Sequence, residues 1–189
     1  MSGLDQARAL LRQRQGRGAR DDAPEAPAGD LAAARLGTAF FARKLNELPD
    51  AALYVPSQLE GWTRAHVICD VAYQARAISR QIEAAAAGLI VPPLHEHAEA
   101  AEAEITLGAT LPPRALRHLF DHAAIHLNVV WRDLDGGGWR AAGPGEDGLA
   151  RLLSQTPVER ARRLWQRALH LGNGVRLRDL PIQFQPQVA

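Results

Sequence analysis

The feature that most restricts the fold of this sequence is a run of apolar residues at helical spacing after Pro112-Pro113. Its members stay within one narrow sector of a helical wheel: Leu116, Leu119, Phe120, Ala123, Leu127, Val130 and Leu134. An apolar stripe of this kind is stable only when other elements cover it. The run therefore predicts a long amphipathic helix, which we expect to end at the glycines of 136–138.

Three further segments have the same apolar period and are bounded by capping signals. These predicted helices cover 30–49, 63–88 and 156–172. Asp30 and Thr63 are the expected N-caps of the first two, because both side chains can accept a hydrogen bond from a free helical amide. In the last segment Thr156 and Glu159 have the spacing of a capping box. The sequence thus predicts four long helices.

Composition supports an all-α fold. The chain has 189 residues, of which 47% are hydrophobic and only 5% aromatic, and its many alanines favour closely packed helices over a sheet. A length of this order is typical of one domain. We predict a four-helix bundle with a short extra helix over 96–107 in the second crossover. We expect a flexible N-terminal extension over 1–29, the bundle over 30–180 and a C-terminal tail over 181–189.

The charge balance and the single cysteine exclude several classes of function. Lys and Arg number 22 against 21 Asp and Glu, so the chain lacks the basic field of a general nucleic-acid binder. Cys69 alone cannot form an internal disulfide or a cysteine-based zinc site, and a cytoplasmic protein is expected. The longest apolar run, 84–91, is shorter than the roughly 20 residues that a membrane span requires.

Six segments, in order and at similar spacing, resemble one known family. They are Ala34–Thr38, Leu59–His66, Val71–Tyr73, Gly108–Leu111, Val130–Arg132 and the helix over 162–172. The sequence from about Leu31 to Pro181 is similar to the N-terminal domain of mycothiol-dependent maleylpyruvate isomerases. This resemblance implies a DinB-like four-helix bundle. In the family a second domain usually follows and helps to complete the active site, and we expect it to be absent after Pro181.

The resemblance also implies a divalent metal site, usually zinc, whose ligand positions are changed in this sequence. The family's histidine before the Val-Ala-Tyr segment is replaced by Asp70, and its glutamate and histidine on the last helix are replaced by Arg163 and Arg167. An arginine keeps its proton and has no lone pair to donate to a metal. We therefore predict that the family metal site is lost, and we predict no cofactor.

Two functional hypotheses follow. In the first, Asp70 pairs with Arg163 or Arg167, and the degenerate site binds a small carboxylate or a partner, with His66 and His170 beside it. In the second, the protein is a thiol-dependent isomerase or a related enzyme whose metal site is rebuilt from His66, Asp70 and His170, with zinc and mycothiol as cofactors. A simpler interpretation places both arginines on a solvated helix face. Whether the bundle forms a homo-oligomer stays open.

The remaining candidate residues have simpler interpretations. His118, His122 and His126 form a row at i, i+4 and i+8, which is typical of polar surface or cleft lining more often than of a metal site. His95 and His97 follow two prolines and are expected to be exposed. Cys69 is interpreted as a small buried residue.

Overall fold

The computed structural model describes residues 21–185 together with Gly3, Gln6, Ala7 and Leu10. Most of the predicted N-terminal extension and the last four residues of the predicted tail therefore lie outside the described residues. The helices of the described part are α1 (Ala28–Asn46), α2 (Arg64–Ala86), α3 (Ala98–Gly108), α4 (Pro113–Asp133), α5 (Gly136–Arg140) and α6 (Thr156–His170). Short 3-10 turns occur at Asp50–Tyr54, Leu153–Gln155, Leu177–Asp179 and Ile182–Phe184.

The four long helices α1, α2, α4 and α6 form a bundle. α1 packs mainly against α6 and α2 mainly against α4, while α2 also contacts α6. The short helix α3 packs on α2 within the crossover that leads to α4. The all-α bundle and its extra crossover helix are thus confirmed. No helix in the described ranges has the length and hydropathy needed to cross a lipid bilayer.

The apolar stripes predicted from the sequence meet inside the bundle. Phe41 of α1 and Phe120 of α4 are both buried, and their ring centroids lie 5.1 Å apart. Toward the end of α4, the indole Nε1 of Trp131 donates a hydrogen bond of 3.1 Å to the Thr156 hydroxyl at the start of α6. The packed region continues past residue 180, because Phe184 is also buried against the core.

Two predicted helix ends were wrong, at Asp30 and at the glycines of 136–138. α1 already begins at Ala28, directly after Pro27, so Asp30 lies inside the first turn, where a carboxylate favours the helix dipole. The glycines form the first turn of α5 because Asp135 caps them: its carboxylate accepts a 2.7 Å hydrogen bond from the Gly138 amide. Burial of Trp139 then anchors this short helix.

The predicted capping box at the start of α6 does not form. The Thr156 hydroxyl donates to the Leu153 carbonyl and accepts from Trp131, so it does not cap the helix. Glu159 accepts two hydrogen bonds from Arg151 instead, at 3.0 and 3.1 Å. In both cases, the side chain that the capping box requires is hydrogen-bonded to another residue instead.

The connection between α5 and α6 contains a small antiparallel hairpin. Strand β1 (Ala142–Pro144) pairs with β2 (Ala150–Leu152), with Ala142 opposite Leu152. The sequence predicts only an irregular glycine-rich loop here. The hairpin matters because its turn places Glu146 beside α6.

Candidate functional site

The centre of the candidate site is an ion cluster between α2 and α6. Asp70 of α2 is only 6% exposed, and its two carboxylate oxygens bind different arginines of α6. Oδ1 accepts from Nη1 of Arg163 at 2.5 Å, and Oδ2 accepts from Nε of Arg167 at 2.6 Å. The predicted Asp70 salt bridge is confirmed with both arginines. The solvated-face interpretation is wrong, since about four-fifths of each arginine side chain is buried.

The spacing of the two arginines explains why both reach one carboxylate. Residues four apart on a helix lie on the same face, one turn above each other. Asp70 is on the neighbouring helix at a level between them, so one carboxylate oxygen meets each guanidinium. The three positions that the family resemblance assigns to metal ligands therefore do converge on one point.

A second carboxylate, Glu146 from the hairpin turn, completes the cluster. It accepts a hydrogen bond from Nη2 of Arg163 and another, of 3.2 Å, from the Gln74 amide. We call Asp70, Glu146, Arg163 and Arg167 the Asp70 cluster, in which two negative charges balance two positive charges. Glu146 was not predicted, because its position depends on how the hairpin folds back onto α6.

Arg167 has further partners at the other end of the cluster. Its guanidinium carbon lies 5.6 Å from the centre of the Trp62 ring, in cation–π geometry. Its Nη1 lies 3.1 Å from Nδ1 of His170. Burial, followed by the charge of Arg167, lowers the pKa of His170. The neutral imidazole that this favours accepts the hydrogen bond from Arg167.

His66 does not join the cluster. Its Nδ1 lies 3.2 Å from the Thr63 amide nitrogen and 2.8 Å from the Thr63 hydroxyl, so it helps to cap α2. Thr63 itself is the N-cap residue of α2, as predicted. The structure thus brings together four of the five predicted site residues and leaves His66 at the start of the helix, with its ring 5.9 Å from that of Trp62.

The residues present do not fit a divalent metal. Arg163 and Arg167 have no lone pair to offer, and both Asp70 oxygens already accept hydrogen bonds from them. Within residues 21–185 no group of three His, Cys, Asp or Glu side chains is placed to hold a metal ion. The alternative site at His66, Asp70 and His170 is accordingly not assembled, because Thr63 holds one histidine and Arg167 stands beside the other.

A deeper arginine, Arg160, lies one turn before Arg163 on α6. It is 1% exposed, and its Nη1 donates to the Val71 carbonyl and to the Gln74 side-chain oxygen. Burial, with a smaller contribution from Arg163, lowers the pKa of this guanidinium to about 9. Arg160 was not among the predicted site residues, although its spacing of three from Arg163 puts both on one side of α6.

A cavity of about 540 Å³ opens beside the Asp70 cluster. Its wall includes Trp62, Asp70, His95, Glu146 and Arg163. The prediction that His95 is exposed was wrong, because this side chain is half-buried in the cavity wall, and burial lowers its pKa. His97 is exposed as predicted.

The histidine row on α4 lies on the protein surface, as predicted. His118 and His122 are exposed, and consecutive ring centroids in the row are 5.9 and 6.2 Å apart. His126 lies 2.9 Å from a Glu83 carboxylate oxygen on α2. No residue of the row lines the cavity beside the Asp70 cluster.

Cys69 precedes Asp70 but faces the core, where it is fully buried. Burial, reinforced by the charge of Asp70, raises the pKa of its thiol to about 12. At pH 8 the folded protein then has almost no thiolate, the reactive species. We expect Ellman's reagent to label Cys69 far more slowly in the native protein than in urea. Equal rates in the two conditions would show that Cys69 is accessible and ionised.

Comparisons with known proteins agree with this architecture. The model of the mycothiol maleylpyruvate isomerase N-terminal domain family matches residues 34–171. Two solved structures are similar, that of the mycothiol-dependent maleylpyruvate isomerase and that of a histidine-to-alanine mutant of it. Each is 35% identical with a TM-score of 0.79, and each match covers 83% of this chain. A search of curated proteins gave no match.

The chain spans 65% of the length of those solved isomerase chains. The family match covers well over half of this chain and includes α2 and α6, which hold the Asp70 cluster. By sequence and by structure, this chain belongs to the mycothiol maleylpyruvate isomerase N-terminal domain family.

Proposed function

We propose that this domain binds a small carboxylate without a metal, using Arg163 as the ligand-binding group. The observation that carries the proposal is the arrangement of Arg163: Nη1 is fixed by buried Asp70, while Nη2 is held by the half-exposed Glu146 at the wall of the cavity. Because the guanidinium is rigid and planar, fixing one of its edges also fixes the direction in which the N–H groups of the other edge point. Such an edge suits a carboxylate, which accepts two parallel hydrogen bonds from the planar fork.

Glu146 occupies the place that the ligand carboxylate would take. Its side chain is 52% exposed and sits in a turn that contains Gly145 and Gly148, the latter at φ +76°. Exchange of one carboxylate for another leaves the charge of the cluster unchanged. The ligand therefore competes with an internal anion, and removal of that anion strengthens binding.

Arg167 has a supporting role in this proposal. Asp70, Trp62 and His170 surround its guanidinium. Arg167 thus holds Asp70 in place against Arg163. The cavity supplies the rest of the recognition, with Trp62 as an aromatic wall and His95 as a polar group.

The test is calorimetric titration of the chain with the dicarboxylates succinate, maleate and fumarate. We expect at least one of these to bind, Arg163→Gln to weaken its binding about 10- to 100-fold and Glu146→Gln to strengthen it about 10-fold, as charged hydrogen bonds are lost or a competitor is removed. Glu47→Gln is the matched control, since Glu47 is a similarly exposed, paired carboxylate outside the cavity. The proposal would be rejected if the affinity were the same in the wild type, Arg163→Gln and Glu146→Gln.

We further expect no thiol-dependent isomerisation of maleylpyruvate by this chain. The reason is that two guanidinium groups stand at the positions where the family resemblance places metal ligands, so no metal is available to activate a thiol. The measurement is an absorbance assay with mycothiol or a simpler thiol, with and without added zinc. Turnover above the thiol-only rate would contradict the metal-free proposal.

A further inference from the structure

A second cavity, of about 350 Å³, lies along α1 and α4. Phe120, Ala124 and Leu127 of α4 and Ala39 of α1 form much of its apolar wall, and Arg160 of α6 also lines it. None of its lining residues belongs to the wall of the cavity beside the Asp70 cluster. Its size is at the lower end of the range for small-molecule sites, which are mostly apolar with a few polar groups.

Arg160 is the unusual member of this wall. It is fully buried, and its hydrogen-bond partners are a backbone carbonyl and a neutral amide. Its Nη2 is buried and has no hydrogen-bond partner. Among the described residues no carboxylate forms a salt bridge with Arg160, and both oxygens of the nearby Asp70 are bonded to Arg163 and Arg167 instead.

A buried guanidinium with an unsatisfied donor and no carboxylate bonded to it is unfavourable in a protein interior. At neutral pH the group still carries its proton, because even a pKa lowered to about 9 lies above that pH. An anionic acceptor delivered through the cavity would supply both the missing hydrogen bond and the missing charge.

The rim of the cavity does not oppose an anion. Arg35 stands there, bound to both Asp22 oxygens at 2.7 Å and to the Asn128 side-chain oxygen at 2.8 Å. Asp121 is the acidic residue of the lining, and it is exposed to solvent, where its charge is screened. The wall below the rim is uncharged apart from Arg160.

We propose that the α1–α4 cavity binds a small apolar monocarboxylate, with its hydrocarbon part against Phe120 and Ala124 and its carboxylate accepting a hydrogen bond from Arg160. This site is independent of the function proposed for the Asp70 cluster. The apolar wall selects for a hydrophobic body, and the single guanidinium selects for one acidic group.

The experiment titrates the protein with 3-phenylpropionate, benzoate and octanoate, and with the neutral 3-phenylpropionamide, by calorimetry or ligand-observed NMR. We expect at least one acid to bind, and 3-phenylpropionate to bind at least 10-fold more tightly than its amide. Ala39→Trp fills the cavity from its exposed rim and should weaken binding at least 10-fold. Ala32→Trp, the same substitution at an exposed position of α1 outside the lining, is the control and should leave binding unchanged.

Arg160→Met provides an independent measurement, because it should abolish the preference for the acid over the amide. If that variant fails to fold, Ala39→Trp still decides the question. The proposal is overturned if none of the acids binds at 10 mM, if the amide binds as tightly as the acid, or if Ala39→Trp binds like the wild type. Because Ala39 is not part of the other cavity, the Ala39→Trp result separates binding at this site from carboxylate binding at Arg163.

Discussion

Replacing Asp70 by alanine should lower the free energy of unfolding by about 3 kcal/mol, the lower end of the range for removing one partner of a buried ion pair. Asp70 is buried and is shared by Arg163 and Arg167, so the substitution leaves two guanidinium groups without their common partner. Buried Arg160 lies one turn away and adds to the repulsion. The lower end applies because each exposed arginine edge keeps some contact with solvent.

Urea unfolding followed by circular dichroism measures this effect. The matched control is Asp22→Ala, which removes the carboxylate from the more exposed pair with Arg35. An exposed pair of this kind contributes about 0–1 kcal/mol. Equal losses for the two variants would show that the Asp70 cluster behaves as a surface ion pair, contrary to its burial.

A triple variant distinguishes the cost of the unpaired arginine charges from the cost of lost packing around residue 70. When Asp70→Ala is combined with Arg163→Met and Arg167→Met, no unpaired guanidinium remains in the cluster. Joint hydrophobic replacement of buried ion partners is often neutral or stabilising, whereas removal of one partner is costly. Glu146 loses Arg163 in this variant, but its half-exposed carboxylate is hydrated by solvent. We therefore expect the triple variant to recover most of the stability lost by Asp70→Ala alone. Failure to recover it would mean that the loss comes from packing around residue 70.

The pairing of Asp70 with Arg163 and Arg167 was predictable from two sources together. Positions 163 and 167 share a helix face whatever the rest of the chain does. The family resemblance implies that this face points into the bundle cleft, where Asp70 is the expected partner. The helices themselves were predictable because apolar periodicity is a local property of the sequence. The spacing of residues within one helix is fixed by the sequence, and a bundle only has to bring two such faces together.

The missed features depend on contacts between distant segments. Glu146 reaches Arg163 only because β1 and β2 pair, and Thr156 is drawn away from its helix cap by Trp131. The three glycines of 136–138 form a turn of helix because the Asp135 cap and the burial of Trp139 outweigh the low helix propensity of glycine. Apart from the local Asp135 cap, each of these features depends on tertiary contacts that periodicity does not encode.

The second large effect that we expect is a gain of metal binding. The triple variant Asp70→His, Arg163→Glu and Arg167→His restores the ligand types that the family resemblance places at these positions. In the wild type the three side chains already meet at one point from two helices. Two imidazoles and one carboxylate with an open fourth position are a suitable set for Zn²⁺.

We expect this triple variant to hold close to one equivalent of zinc, and the wild type purified without chelator to hold no stoichiometric zinc, nickel or manganese. Elemental analysis after dialysis measures both. Zinc should also stabilise the triple variant against unfolding, since a ligand present at 100 times its Kd adds about 2.7 kcal/mol to the free energy of unfolding. The wild type should show no such dependence on zinc.

The control keeps two of the three ligands and removes the third: Asp70→His and Arg167→His with Arg163→Gln. An amide is a poor zinc ligand, so this control should bind zinc much more weakly than the variant that carries Arg163→Glu. If all three proteins bind zinc equally, the metal sits elsewhere, and the exposed histidine row of α4 is the first place to examine. If the wild type alone carries one equivalent, the arginines do not prevent a metal site, and the metal-free function proposed for the Asp70 cluster is wrong.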